Sequence, residues 1–571
     1  MSRFNLLDEP WISVFDNESG ERQDVSMIDL FRNADKYRSL AGEMETQNFA
    51  VMRMLLAVMQ TVFSRFDIKG SILPGIELDD NWIQMHKVED DDLEEYHIET
   101  EQCWNELYMS GIFPDIIISY LEKWKDHFYL FDDDQPFYQV NGSEMDEIMS
   151  RIPKKSQPSS IYGKNLNRTI SESEHKFALF SPIANSSKGK RSNKDIMTAA
   201  EFARWLITFQ GYSGLADKVS LVSAGQRPSK GWLFDIGGIF LRGETLQETL
   251  VLNYIPNLND DFDGRIQRPC WERRGIDVVN GLCTGQNIDN LSELYTNWSR
   301  AVNINPDLDM SKPSEIDVVK IPEIDHSEHS IEPMTIWRWN SNGPNKDHFT
   351  PRKHTADQSL WRSFGNIVLQ TSTKQPMIFR QYERLAQIAG SRWTDVVGVS
   401  MQDDGNATSW LPVDEIADSF EINDLVITDN DPDGWVIRIN NAVENTKNVV
   451  SVIYRNFLKG ICEIRNLDLK GSMTGGFITN KTAELYSEID IVFKEWLASI
   501  DPGDSKEEKI LEWNVQLKKM VLDKGGELFE SCSARDLTGI VKDDKIDNIA
   551  SRYWIFVNQV KRKLGKGGAK N

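Results

Sequence analysis

The chain has 571 residues, of which 40% are hydrophobic, 10% aromatic and 27% charged, enough material for several apolar cores. No window approaches the ~20 consecutive apolar residues of a membrane span, and Asp8 and Glu9 stand where a signal peptide would carry its apolar core, so a soluble, cytoplasmic protein is expected. A net charge of −24 argues against a non-specific nucleic-acid binder, unless basic residues are segregated locally or a partner supplies them.

The first 70 or so residues open with a strand-like "WISV" and a turn, "DNESGE". A long amphipathic helix is expected over 48–66, where Met52, Leu55, Leu56, Met59 and Phe63 recur at helical spacing. A second helical stretch starts at Pro114 and runs into the acidic turn "DDDQPFYQV". From about 154 to 194 the chain is rich in Ser, Asn, Lys and Gly, the composition of long loops, around an apolar island, "FALFSPI". "TAAEFARWLITFQGY" reads as a helix, with the glycine-containing "SGLADK" beyond its end. Residues 220–430 mix short strand-like runs, aromatics and acidic loops without a βαβ rhythm, which predicts irregular α+β structure with antiparallel strands. After "DNDPDGW", a linker candidate, helices are expected near 440–462, 479–499, 505–523 and 546–565. The last carries Ile549, Tyr553, Phe556 and Val560 on one stripe, and the set suggests a four-helix bundle. The fold expected is α+β: a mixed α/β domain over 1–432 followed by an all-α bundle over 433–571.

Candidate chemistry is sparse. The five cysteines (Cys103, Cys270, Cys283, Cys462 and Cys532) show no ligand spacing and suit a reducing compartment. Asp132, Asp133 and Asp134 could attract a hard cation but lack the alternating spacing of a calcium loop, so a solvated turn is expected. His326 and His329 have no third ligand, and Arg352 and Lys353 in "HFTPRKH" could touch phosphate but read as a surface loop. No nucleophile elbow, phosphate-binding loop, dinucleotide fingerprint or zinc-protease motif occurs, and nothing calls for a cofactor or metal. Two basic stretches stand against the acidic average. One holds Lys154, Lys155, Lys164, Arg168, Lys188, Lys190, Arg191 and Lys194. The other is the tail, where Arg552, Lys561, Arg562 and Lys563 could track a DNA backbone.

Three segments carry a family resemblance: "FNLLDEPWISV" (4–14), "DHFYLFDDDQPFYQV" (126–140) and "MTAAEFARWLITFQGY" (197–212), in that order. They resemble the CasA family, the large subunit of Cascade, the type I-E CRISPR surveillance complex. The resemblance implies a mixed α/β N-terminal domain, a C-terminal four-helix bundle and no catalysis. It also implies recognition of the protospacer-adjacent motif in double-stranded DNA through the minor groove, a start to duplex opening, and docking of a helicase-nuclease. Partners implied are the other Cascade subunits, crRNA and target DNA. Guide pairing would read the sequence, while the protein reads a short motif and groove shape.

Site residues follow from the same resemblance. Leu179, Phe180 and Ser181 fall on the loop that contacts the crRNA handle and a neighbouring subunit. Gly214 and Lys218 fall on a glycine loop that approaches the minor groove, Gly214 alone remaining of a richer glycine pattern. Lys312 aligns with a minor-groove lysine, beside Asp307 and Asp309. Gly405, Asn406 and Ala407 align with a wedge at a β-hairpin tip that parts the duplex, at an unstacking cost of a few kcal/mol per step. Asn406 is one methylene shorter than the family's glutamine; either its reach is reduced or Gln402 takes part. As plain chemistry, "DGN" is a hairpin turn in any case. Two other readings stay open: a metal-dependent nuclease or hydrolase using clustered acids such as Asp132 to Asp134, and a purely structural scaffold subunit.

Overall fold

The computed structural model describes residues 4–153, 157–162, 197–256, 264–310, 312, 315–325, 331–369, 373–406, 408–542 and 545–565. The chain is α+β, with many helices and several small sheets. It divides into two compact units that are discontinuous in sequence. The first takes 1–356, 372–381 and 397–417; the second takes 357–371, 382–396 and 418–571. The units therefore do not follow a single linear cut near 432: three short segments before that point belong with the C-terminal helices.

In the first unit β1 (Ile12–Asp16) lies between β2 (Arg22–Val25) and β3 (Tyr37–Leu40), antiparallel to both. Helix α1 (Glu45–Val62) follows and is buried along nearly its whole length, not on one stripe. That environment would be hostile to Arg53. Its guanidinium is paired in fork geometry with Glu332, Nη1 to Oε1 at 2.7 Å and Nη2 to Oε2 at 2.8 Å. Trp232 Nε1 (2.6 Å) and the Met334 amide (3.0 Å) supply the carboxylate's other donors. A second buried pair, Arg65 with Glu272, has the same form, and the Tyr120 hydroxyl donates to it at 2.7 Å. Helix α2 (Ala199–Gly211) is started by a capping box between Thr198 and Glu201 and packs on α1.

Three more small sheets complete this unit. β4 (Ser159–Tyr162) and β6 (Arg300–Asn303) flank β7 (Glu315–Lys320), both antiparallel to it. β8 (Trp337–Trp339) runs between β9 (Phe349–Pro351) and β10 (Thr373–Lys374). β5 (Gly238–Arg242) borders the long hairpin of β11 (Trp393–Asp403) and β12 (Pro412–Asn423), whose distal halves belong to the first unit and whose proximal ends belong to the second.

The second unit is mainly helical: α3 (Trp435–Asn448), a π turn (Val449–Tyr454), α4 (Arg455–Ile464), α5 (Ser472–Ala498), α6 (Lys506–Glu530) and α7 (Ile549–Leu564). Aromatic packing organises it at two levels. Trp361, Phe493, Trp496 and Trp513 pack ring on ring, stacked, tilted or edge-on, with centroids 4.1 to 5.5 Å apart. Phe457 and Phe556 stack at 4.8 Å, beside Tyr553 on Phe529 at 4.7 Å. Of the stripe expected on α7, Ile549, Phe556 and Val560 are buried.

Asp536 ties the end of α4 to the segment before α7. Arg465 donates Nε and Nη2 to its carboxylate at 3.0 and 2.8 Å, and the Ser533 amide donates at 2.9 Å. The Arg465 hydrogen bonds, with those from Ser533, pull the carboxyl down to about 2 from an ordinary value of 3.8. The folded chain thus holds this proton more weakly than the unfolded chain. Its stabilising contribution is complete above about pH 4 and disappears as pH falls towards 2. In thermal melts, Asp536→Asn is expected to lower the midpoint of this unit at pH 5 and to narrow the gap to wild type by pH 2. A gap that stays constant across that window refutes the assignment.

Candidate nucleic-acid interface

The end of the β11–β12 hairpin is built by its own acids. Asp404 Oδ1 accepts from the amides of Asn406 (3.0 Å) and Leu411 (3.3 Å), and its Oδ2 from the Ser409 hydroxyl (3.1 Å). Asp403 Oδ1 accepts from the Gly405 amide at 3.0 Å. Both carboxylates are therefore used in forming the turn. Gly405 has φ +71° with open space around it, a conformation in which a side chain is strained even without a neighbour. Asn406 is exposed; its Oδ1 accepts from the Thr408 amide (3.1 Å), and its Nδ2 has no partner among the described residues. The tip thus presents a planar amide with free donors. Gln402 is not at the tip: it is half-buried in β11, its Nε2 on Ser400 Oγ at 3.2 Å. Ala407 lies outside the described residues.

The loop after α2 is seated directly against this hairpin. The Leu215 amide donates to Ser409 O at 2.7 Å. Gly214 has φ +63°, and a Cβ there would stand 2.5 Å from the Trp410 carbonyl oxygen. Glycine at 214 is what lets the two backbones meet, so its close approach is first of all to this hairpin. Arg300, fully buried on β6, anchors the loop: it donates to Gly214 O (2.6 Å), Ser229 O (2.7 Å) and Asp217 (2.8 Å). Lys320 Nζ donates to Asp217 O at 2.6 Å. Lys218, next along, is exposed and in no ion pair among the described residues.

Two lysines flank the tip. Lys230 Nζ pairs with Asp235 at 2.6 Å and lies 4.9 Å from the Trp410 ring centre. Lys353 Nζ stands 3.9 Å over the Phe234 ring and 3.5 Å from Asp403. Burial, more than its partly opposing neighbours Asp235 and Asp403, lowers the Lys353 ammonium's pKa. Farther down, Glu415 on β12 accepts from the Thr46 amide (3.0 Å) and hydroxyl (2.8 Å), satisfying the first turn of α1, and burial raises its carboxyl. Sequence reasoning passed over Arg300, Lys230 and Glu415. The available signal was a charged residue inside the apolar strand around Arg300; the other two have partners far off in sequence.

The remaining expected site residues fall elsewhere. Lys312 is 73% exposed and forms a surface pair with Asp309 at 2.9 Å, an interaction worth ~1 kcal/mol at most. It precedes β7, at the opposite end of that strand from Lys320. No hydrogen bond or ion pair among the described residues joins it to the hairpin. Leu179, Phe180 and Ser181 lie outside the described residues, as do His326 and His329. In the second unit, Arg552 is closed on Asp547 and Glu463, so its charge is balanced within the chain, whereas Lys561, Arg562 and Lys563 are exposed on the last turn of α7. Asp132 is buried and accepts from the amides of Asp134 (2.8 Å) and Gln135 (3.0 Å), a turn-forming role. Among the described residues there is no cluster of three or more His, Cys, Asp or Glu suited to a metal, and no helix long and apolar enough to cross a membrane.

The family model of the CRISPR-associated protein Cse1 matches residues 5–524. A CasA/Cse1 protein of Thermus thermophilus is 24% identical over 396 residues, 67% of this chain and 64% of the relative. The aligned part thus spans just under two thirds of that relative's length. In structure the chain is similar to Cse1 of Thermobifida fusca, with TM-score 0.72, 19% identity and 99% of both chains covered. Cse1 of Acidimicrobium ferrooxidans gives 0.70, with 18% identity and 98% of each chain covered. A chain of a CRISPR RNA-guided surveillance complex gives 0.66, with 14% identity and 99% of each chain covered. At these identities the structural likeness is one of fold.

Proposed function

This chain belongs to the CRISPR-associated Cse1 family, and from that premise we propose that it is the non-catalytic large subunit of a type I-E crRNA-guided Cascade complex in the cytoplasm. In this reading it contacts crRNA and its neighbouring subunits, recognises the protospacer-adjacent motif through the minor groove, and wedges the duplex open to begin the R-loop. It then docks the helicase-nuclease, with a mixed α/β portion reading DNA and a C-terminal four-helix bundle.

One observation carries the reading: the hairpin tip and the glycine loop form a single braced unit. Leu215 is hydrogen-bonded to Ser409, Gly214 fits against Trp410, and the tip offers the Asn406 Nδ2, which has no partner among the described residues. A wedge must protrude yet resist being pushed back. Its unstacking cost of a few kcal/mol per base step has to be met by rigidity and by contacts to the opened strands. Asp403 is balanced by Lys353 at 3.5 Å, whereas Asp404 keeps its negative charge within the turn, a repulsion from phosphate that contacts to the opened strands have to offset.

The test is a complex reconstituted with Gly405→Pro/Asn406→Ala, a pair that breaks the φ +71° turn and removes the amide. Motif-dependent affinity for target duplex is expected to fall at least tenfold in gel shifts, with assembly on crRNA unchanged. Unchanged, motif-selective affinity would sink the wedge. Equal affinity with and without this subunit would favour a scaffold role instead.

A further inference from the structure

Half of the chain's net negative charge lies within positions 67–115 of the first unit, where 14 acidic side chains stand against Lys69 and Lys87, a net −12 in a protein of −24. Amid this charge opens a groove of about 560 Å³, walled by Phe66, Ile72, Trp82 and Ile116, a size at which side chains and small ligands are commonly held. Ile72 is 55% exposed, and Trp82 is half-buried, its ring edge-on to Phe66 with centroids 5.2 Å apart. Asp79, Asp115 and Lys69 complete the wall.

Two loops of one plan build this groove. In the first, Phe66 and Ile72 bridge around Asp67, whose Oδ1 accepts from the amides of Lys69 (2.8 Å) and Ser71 (2.7 Å). In the second, Leu78 and Gln84 bridge around Asp79, whose Oδ1 accepts from the amides of Asn81 and Ile83, both at 2.8 Å. Three residues after each aspartate the backbone turns left-handed: Gly70 has φ +82° and Trp82 has φ +65°. Glycine suits that conformation, whereas a tryptophan in it is strained. The second loop thus carries strain that the first avoids, and what it gains is an indole in the groove wall. Leu73 and Ile76, from the span between the loops, pack with Val88 and Tyr96 in a small core of their own. That core holds both loops in place, so the groove is formed before anything enters it.

We propose that this groove docks a basic segment of another protein, an apolar side chain seated against Phe66, Trp82 and Ile116 and an arginine paired with Asp79 or Asp115. Both acids keep their charge for such a partner. Asp79 spends only Oδ1 on its turn, and Asp115 is exposed and precedes the helix Ile116–Lys123 without capping it through its side chain. Lys123 Nζ lies 6.0 Å from the Trp82 ring centre, at the outer limit of a cation–π contact, so a guanidinium can approach the ring more closely. The surrounding charge selects the partner's sign and speeds its approach. It repels nucleic-acid phosphate and equally a second copy of this acidic chain. Walls made of four large apolar side chains reward burial of a branched apolar group, which distinguishes a protein segment from a simple polyamine. The assignment is independent of the hairpin and of the wedge reading.

The experiment uses the full chain in fluorescence anisotropy with three labelled hexapeptides, each with two central leucines, flanked by paired arginines, paired serines or paired glutamates. Saturable binding is expected for the arginine peptide, about tenfold weaker binding for the serine peptide, and none for the glutamate peptide. Trp82→Gly, which gives the second loop the residue of the first, is expected to weaken binding of the arginine peptide about tenfold at a near-wild-type melting temperature. Asp79→Asn/Asp115→Asn keeps the Oδ1 acceptor of the turn and removes two charges; it is expected to weaken binding and to flatten its salt dependence. Equal affinity for the three peptides, no saturable binding of the arginine peptide, or unchanged affinity in either variant would overturn the proposal. Spermidine binding that Trp82→Gly abolishes, without peptide binding, would make the groove a polyamine site instead. A dimer in sedimentation that Trp82→Gly dissolves would make its occupant a second copy.

Discussion

Glu332→Ala is expected to remove about 3–5 kcal/mol from the stability of the first unit, the cost of leaving a buried guanidinium without its carboxylate. Both side chains of the pair are essentially inaccessible to solvent, and the fork geometry leaves Arg53 no second acid. The ring of Tyr295, 4.4 Å from the guanidinium carbon, attracts a cation but cannot replace a negative charge. The Trp232 indole and the Met334 amide lose their acceptor at the same time, adding an unsatisfied-donor cost on the order of 1–3 kcal/mol if each remains buried. Glu332→Gln should recover part of the loss, because an amide oxygen can still accept from Arg53. Arg53→Met/Glu332→Leu should be milder than Glu332→Ala, since it removes both charges, although Trp232 stays unsatisfied. Urea transitions followed by tryptophan fluorescence measure all three. A loss below about 1 kcal/mol in Glu332→Ala would mean that Arg53 finds water or another partner when the carboxylate is removed.

The same pair marks where sequence reading stops. The periodicity of Met52, Leu55, Leu56 and Met59 correctly places a helix, but a pattern read along one helix assigns Arg53 to solvent. What buries it is an acid 279 positions away, and no local signal points there. Element boundaries shifted for local reasons. The helix expected from Pro114 onward is a short one, Ile116–Lys123, continued by a 3-10 turn. The helix expected from 479 begins at Ser472 and accommodates Gly475 and Gly476 inside it. The "DGN" signal did mark a hairpin turn. Its bracing could not be read in advance, because Thr46, Gly214, Lys230 and Arg300 come to it from four separate parts of the chain. Resemblance supplied the candidate positions; tertiary structure supplies the contacts that relate two of them, Gly214 and the tip, to each other.

Arg300 is the residue on which that relation depends most. Its guanidinium serves three carbonyls, of Gly214, Ser229 and Ser299, besides the Asp217 carboxylate, so one side chain fixes both the glycine loop and the segment leading to Lys230. Arg300→Lys keeps the charge but replaces a planar fork of five donors with a single ammonium. A lysine can follow Asp217 or the carbonyls, not both. The variant is therefore expected to lose roughly 3 kcal/mol of stability, with the damage concentrated where the fork acted. Hydrogen exchange should rise at the Leu215 amide, which donates to Ser409, and at the Trp410 amide, which donates to Asn406 O, while the interior of α1 keeps its protection. In the assembled complex, motif-dependent duplex affinity should fall in step with that local loosening although no residue at the tip has changed. Exchange at Leu215 and Trp410 that stays at the wild-type rate would show the hairpin to be rigid by itself, and the brace from β6 to be incidental to its action.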